Sequence, residues 1–280
     1  FFGELASDKN FHFAFIQGIL FSADPKISAS VLYRNIPKEY QSIFGNANTS
    51  TSFPSNEKGV NIGIAVKPIP ELEINASADM FYFPWLKYRV DAPGRGSNYY
   101  VALHFLQGKT YNFYLSYRNK SGPVNFPIGA SALNYVFNEI NKTLQFQFTD
   151  HLSSKMTLAN RFEIMWLKNN ESGFLSYIDC SNHHSKKFES SVRVQYFETI
   201  NNISFYTYEN SALNFFNTPS SGNKGIRYYM TLNYRIKEKI TLFLNWSQTI
   251  YSNKTEIGYG SELIKGNKHS ALNFQVKFEW

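Results

Sequence analysis

Long apolar runs are missing from this sequence. No stretch reaches the roughly 18 apolar residues of a helical membrane span, so helical spans are excluded. Cysteine is almost missing too. Cys180 is the single thiol, which rules out a disulfide framework within the chain and reads as a small residue in a strand. A catalytic thiol would need a positioned base. His183 and His184 stand nearby, but both fall in an apparent turn. Proline is kept out of the well-patterned interior. It occurs at 25, 37, 54, 68, 70, 84, 93, 123, 127 and 219, at strand ends or in loops.

Other absences narrow the chemistry. The net charge is +7, yet the lysines and arginines are scattered over strand faces and loops with no dense patch, so nucleic acid is not an expected partner of this segment. Gly94, Gly96, Gly258 and Gly260 lack the strand-to-helix context of a phosphate-binding loop. The oxygen ligands around Asp91 and Glu262 are not clustered as a calcium loop requires. His12, His104, His151, His183, His184 and His269 sit in no recognisable catalytic motif. His104, on a strand's polar face, is the best candidate base and reads more simply as a hydrogen-bonding group. The expectation is a chain with no catalytic residues, no metal and no cofactor.

What is present is alternation. In the last ten residues, Leu272, Phe274, Val276, Phe278 and Trp280 alternate with Ala271, Asn273, Gln275, Lys277 and Glu279. Period two marks a β-strand with one apolar and one polar face. About ten residues is also the length that crosses a bilayer at the tilt of a barrel. The same pattern sets Ile226, Tyr228, Met230, Leu232, Tyr234 and Ile236 against Arg227, Tyr229, Thr231, Asn233, Arg235 and Lys237. Ile240, Leu242, Leu244 and Trp246 oppose Thr241, Phe243, Asn245 and Ser247, and Leu72, Ile74, Ala76, Ala78, Met80 and Tyr82 oppose Glu73, Asn75, Ser77, Asp79 and Phe81. Aromatic residues reach 18%, high for a soluble domain and natural for the aromatic girdles of a barrel.

Candidate strands fall at 1–7, 11–23, 26–36, 59–69, 72–83, 98–107, 110–119, 140–149, 156–167, 173–181, 188–198, 203–209, 212–218, 226–236, 239–251 and 271–280, up to sixteen. Connections at 37–58, 84–97, 120–139, 219–225 and 252–270 are long, and most of the others are short. Counting back from the last strand puts the long ones outside and the short ones in the periplasm, with 168–172 and 199–202 as short exceptions. An open sheet edge in lipid leaves backbone groups unsatisfied at several kcal/mol each, so closure is required. A soluble β-sandwich also alternates, but its strands are usually shorter.

The expected fold is therefore all-β. It is a transmembrane antiparallel outer-membrane β-barrel over 1–280, with about 14–16 strands in this segment and room to belong to a larger barrel. The strand ending in Phe274, Phe278 and Trp280 is the candidate closing strand. Arg118, Arg161, Glu163, Arg193, Arg227, Arg235 and Lys277 are candidate lumen-facing residues. Phe83 and Trp85 read as an aromatic girdle and loop start or as a partner platform, and Arg89 and Asp91 as a clamp across a turn. Residue 1 stands in a strand-like segment without a signal peptide, so the segment is expected to be the C-terminal part of a longer precursor.

The loops carry more specific text. Tyr40-Gln41-Ser42 with Gly45-Asn46, Asn56-Glu57-Lys58-Gly59 and the run from Ala78 through Phe83-Pro84-Trp85 to Asp91-Ala92-Pro93 are part of it. So are Gly173-Phe174-Leu175-Ser176-Tyr177-Ile178-Asp179, Tyr206-Thr207-Tyr208-Glu209-Asn210, and Ile257-Gly258-Tyr259-Gly260 with Glu262 to Asn267. Across nearly the whole chain these resemble the Bacteroidetes outer-membrane proteins labelled helix-hairpin-helix domain-containing. Those join a periplasmic region with ComEA-like repeats to a C-terminal β-barrel. Ser211 and Tyr259 depart from that pattern. The resemblance implies a Gram-negative outer membrane, with the lipid bilayer, lipopolysaccharide and other outer-membrane or periplasmic proteins as the expected neighbours. Two roles are open: a pore or translocation component, and a non-enzymatic structural or assembly subunit of a complex. DNA uptake is a third, resting on the family label alone.

Overall fold

The computed structural model describes residues 1–108, 110–126, 134–167, 171–200, 203–211 and 217–279. Its strands are β1 (Phe2–Ser7), β2 (Phe13–Asp24), β3 (Ile27–Ile36), β4 (Glu57–Ile69), β5 (Leu72–Phe83), β6 (Gly94–Gln107), β7 (Tyr111–Phe126), β8 (Tyr135–Asp150), β9 (Met156–Leu167), β10 (Ser172–Ser185) and β11 (Phe188–Thr199). There follow β12 (Ser204–Tyr206), β13 (Ser220–Gly222), β14 (Lys224–Lys237), β15 (Ile240–Tyr251), β16 (Glu256–Ile257), β17 (Ile264–Lys265) and β18 (Lys268–Phe278). One 3-10 turn, Gly260–Glu262, is the only helical element among the described residues.

Fourteen of these strands hydrogen-bond in chain order, with β14 following β11 and β18 following β15. Packing divides the chain into two compact units, Phe1–His104 with Ser116–Thr143 and Phe105–Leu115 with Leu144–Trp280. In the first unit β1 to β5 pair antiparallel with their chain neighbours. Antiparallel alternation puts the connections 37–56 and 84–93 at one end of these strands and the tight turns 25–26 and 70–71 at the other. In the second unit β9, β10, β11, β14, β15 and β18 pair in that order. The long connections 200–223 and 252–267 again share one end.

The sheet buries the wrong side for a water-soluble protein. In β3, Arg34 is wholly buried while its neighbours Val31 and Tyr33 are exposed. In β11, Arg193 and Gln195 are buried while Val192 and Val194 are exposed. Phe274 of β18 is 64% exposed. Soluble proteins rarely leave contiguous apolar patches above a few hundred Å², and here the apolar face of strand after strand is outward. The β-sandwich alternative, which would bury Phe274, Leu242 and Ile74 in a core, is not the structure formed.

The expected strands at 203–209 and 212–218 are corrected. Residues 212–216 lie outside the described ones. Ser204–Tyr206 pairs with Ser220–Gly222 in a separate two-stranded ladder, so this stretch is not in the large sheet. Its odd-numbered residues Phe205, Thr207 and Glu209 are buried. Period two here marks an extended segment lying on a sheet face, which alternates as a strand does.

Candidate functional site

Both units gather buried charge on the polar face of the sheet and use it to hold a loop. In the first unit the centre is Arg34 of β3. Its Nε donates to Glu57 Oε1 at 2.6 Å, and its two terminal nitrogens donate to the two oxygens of Asp79 on β5 at 2.7 and 3.0 Å. Gly59 lies opposite Arg34 on β4, and a Cβ there would sit 2.6 Å from the guanidinium carbon. Glycine at 59 is thus what lets the arginine cross β4 to reach β5. A buried arginine needs such bidentate partners, because an unpaired charge in a low-dielectric interior is strongly unfavourable.

Glu57 also ties down the preceding loop. Ser50 donates to it from its backbone N–H at 3.0 Å and from its hydroxyl at 2.7 Å. Asn56, with a left-handed φ of 55°, donates its side-chain amide to the carbonyls of Trp85 and Leu86 and accepts from the Trp85 N–H at 2.9 Å. Loops 37–56 and 84–93 are joined by hydrogen bonds through this side chain, and Lys38 adds a contact over the Trp85 ring. Lys87 stands over the Phe83 ring at 4.0 Å. Burial pushes its ammonium below the ordinary lysine value, with the charge of Lys120 adding to the effect.

The β1–β2 turn is built on Asp8. Its carboxylate accepts from the N–H of Asn10 and of His12, and from His12 Nδ1 at 2.9 Å. Burial opposes ionisation there, but the hydrogen bonds from His12 and the backbone outweigh it and hold the carboxyl at about 2.

In the second unit two arginines hold the 200–223 loop. Arg193 of β11 donates from Nε to Asp179 Oδ2 of β10 at 2.9 Å and from a terminal nitrogen to the Tyr208 carbonyl at 2.7 Å. Tyr177 and Tyr229 flank it at 4.0 and 5.1 Å, and the Tyr229 hydroxyl donates to Asp179 at 2.7 Å. Arg227 of β14 grips Glu209 of the loop through Nε at 2.6 Å and a terminal nitrogen at 2.8 Å, and donates to Thr249 at 2.8 Å. Between them, Gln195 donates to Ser221 and accepts from Thr207. Leu175, Tyr177, Phe197, Ile203 and Phe205 make an apolar core at the same end. The Glu209 carboxylate and the Tyr208 carbonyl thus each meet a donor fixed on a strand, and this part of the loop is pinned to the polar face.

The residues expected from sequence fall out as follows. Arg193 and Arg227 are these loop-holding arginines. Arg161 and Glu163 pair with each other on β9, with Gln145 of β8 also accepting from Arg161. Arg118 is exposed and lies over the Tyr100 ring at 5.0 Å. Arg235 is exposed, and Lys277 pairs with Glu279. Phe83 is buried on the polar face beneath Lys87 rather than exposed in a girdle, whereas Trp85 is half-exposed under Lys38. Arg89 and Asp91 do not clamp each other. Arg89 lies over Tyr88, and Asp91 accepts from Asn134 at 2.7 Å, a bond that holds its carboxyl below the usual carboxylate range. Phe274 and Phe278 are exposed on β18, and Trp280 lies outside the described residues. Sequence reasoning missed Arg34, Glu57, Asp179 and Glu209. Asp179 is the direct register partner of Arg193, a signal that exists only once strand pairing is known.

Comparison with known proteins gives a fold and corrects the family. No protein-family model matches the chain, and no curated protein matches it. The resemblance to helix-hairpin-helix proteins is therefore overturned. The described residues contain no α-helix, so nothing in them is a helix-hairpin-helix element. The bacterial group and the DNA-uptake role that rested on the resemblance lose their basis with it. Among solved structures, the ferric yersiniabactin uptake receptor FyuA from Yersinia pestis is similar at a TM-score of 0.51 and 11% identity, over 99% of this chain and 51% of that one. The chain thus spans about half the length of that receptor. OmpT, an outer membrane protein of Vibrio cholerae, aligns at 0.42 and 9% identity over 99% of this chain and 94% of its own. The RagAB peptide importer in its closed-closed state aligns at 0.45 and 11% identity, over 95% of this chain and 43% of that one. At those two scores neither bears on the fold. The receptor likeness, with the antiparallel sheet and its outward apolar face, makes this an outer-membrane β-barrel fold whose apolar band meets lipid.

Proposed function

We propose that this chain is an outer-membrane barrel of the transport type, in a Gram-negative outer membrane. Its passage is narrowed over β10, β11, β14 and β15 by the 200–223 loop. The observation that carries the reading is the Arg227–Glu209 pair, a buried bidentate ion pair joining strand to loop. A lumen with a merely structural filling needs no charged tether. A tether of this kind supports a loop that stays in the path while solutes pass beside it. The test is planar-bilayer conductance of the full chain. Glu209→Gln removes the loop's charge and leaves its shape, and the expected result is a larger or noisier conductance than the parent's. Conductance at the lipid background for both parent and variant, with the fold intact, would sink the transport reading.

A second reading, an assembly subunit, is favoured by a separate observation. Ile43, Phe44 and Phe53 in loop 37–56 and Tyr88 in loop 84–93 are largely exposed beyond the strand ends, where outer-membrane partners or lipopolysaccharide would meet them. Co-purification of a stoichiometric partner that is lost in Phe44→Ser would support it.

A further inference from the structure

On the polar face of the second unit, below the pinned loop, lies a cavity of about 280 Å³. Strand register lays out its floor in two rows. Ser181, Ser191 and Thr231 stand side by side across β10, β11 and β14, and the next row on the same face is His183, Glu189, Asn233 and Phe243, which reaches β15. The loop supplies one wall through Asn210, whose amide donates to Ser191 at 3.1 Å and whose carbonyl accepts from Asn245.

The charges around this cavity are already used. Arg193 is engaged by Asp179 and the Tyr208 carbonyl, and Asp179 by Arg193, Tyr229 and Ser181. His183 and Glu189 pair with each other at 3.1 Å. An anion would find no available guanidinium, and the one carboxylate of the lining, Glu189, is half-exposed and bonded to His183. A peptide would find no strand edge, because β10, β11, β14 and β15 each have a hydrogen-bonded neighbour on both sides. What remains is hydroxyls and amides that both donate and accept, beside the rings of Phe243 and Tyr208. Thr231 and Asn233 make no side-chain hydrogen bond among the described residues. Phe243 places an apolar ring among Thr241, Asn245 and Asn233, on a face where an aromatic has no lipid to meet.

We infer that this cavity is a binding site for a neutral, polyhydroxylated ligand, a sugar ring of an oligosaccharide. The Phe243 ring stacks on the C–H face of the sugar. Asn233 and Thr231 hydrogen-bond its hydroxyls, and Ser181 and Ser191 extend the polar row. Strands lie about 4.8 Å apart, close to the length of one pyranose residue, so adjacent strands offer polar groups at sugar spacing. The volume is just below the ~300–1,000 Å³ usual for small-molecule sites, which fits a single ring rather than an extended chain. The inference deepens the transport reading by naming a cargo class, yet the site binds whether or not the barrel conducts.

The test is saturation-transfer NMR and calorimetry on the detergent-solubilised full chain. The probes are maltotriose and chitotriose, with trigalacturonate as the charged control. A neutral trisaccharide is expected to bind with a dissociation constant between about 10 µM and 10 mM, and trigalacturonate more weakly. Phe243→Ala is expected to weaken binding about tenfold or more, with Phe243→Trp retaining it. Should Phe243→Ala fail to fold, Asn233→Ala and Thr231→Val carry the same expectation. No saturation transfer to either neutral sugar, or undiminished binding in the folded variants, would overturn the proposal. A barrel that binds sugar without conducting ions would instead sink the transport reading alone.

Discussion

Arg193 and Asp179 face each other as direct register partners on β11 and β10, joined Nε to Oδ2 at 2.9 Å. The same guanidinium holds the Tyr208 carbonyl. One arginine therefore serves the sheet and the loop together, and removing either partner strands a charge on a buried face.

Arg193→Met alone is expected to destabilise the chain by about 3–5 kcal/mol, because Asp179 keeps its charge and loses its counterion. The double variant Arg193→Met with Asp179→Leu is expected to recover most of that loss, since an apolar pair of similar volume needs no desolvation of charge. Denaturant unfolding in detergent measures both. Equal stability of single and double variants would show that the pair is not electrostatically coupled.

Gly59 is the position that lets Arg34 reach Asp79. Gly59→Ala places a methyl group 2.6 Å from the guanidinium carbon, and the expected penalty is about 1–3 kcal/mol. Gly122→Ala is the matched control, with nothing within 4 Å of the added atom. A Gly59 variant as stable as the Gly122 one would mean the arginine relaxes freely.

The β1–β2 turn is expected to be acid-labile in a defined window. Asp8 is held at about 2 against an ordinary value of 3.8. A carboxyl depressed in the folded state contributes stability above its unfolded value, and that contribution fades as pH falls towards the folded one. Exchange protection of the Asn10 and His12 amides should therefore be full above about pH 4 and decline towards pH 2. In Asp8→Asn the protection should be lower and flat across the same range. An unchanged profile in that variant would rule out the carboxylate as the cause.

Lipid on the outer face makes a quantitative demand. Phe274→Arg is expected to destabilise the membrane-inserted chain by up to about 2–4 kcal/mol if the site lies near the bilayer midplane. Asn273→Arg, on the opposite face of the same strand, should be tolerated. Folding yields into vesicles at increasing urea read both. Equal tolerance at 273 and 274 would mean that water meets both faces.

Much of the sheet was legible because alternation is set by side-chain direction alone. In β14, Arg227, Tyr229 and Thr231 on one face and Ile226 and Tyr228 on the other read correctly without any structure. Alternation cannot say which sheet an extended segment joins, and the pairing of Ser204–Tyr206 in a separate two-stranded ladder went unread for that reason. Nor can it show which strand stands opposite which. Arg193 was legible as a polar-face residue, whereas Asp179 as its partner was not. Glu57 fell within the expected connection 37–58, ahead of the candidate strand at 59–69. It is instead the buried first residue of β4, fixed there by Arg34. Phe83 misled in the other direction, since an aromatic at a strand end suggests lipid, while its odd position puts it with Asp79 and Phe81. Motif similarity in the loops pointed to the barrel region of one family of outer-membrane proteins, and no family model or curated protein supports it.

The side chain of Asn56 works as a rivet between two surface stretches that are far apart in sequence. A deletion or tag near Trp85 would be felt at Pro54 and Ser55 as well, so variation in the two stretches has to be matched. Surface engineering of this protein is freer at 252–267, where no such fastening joins one connection to another among the described residues.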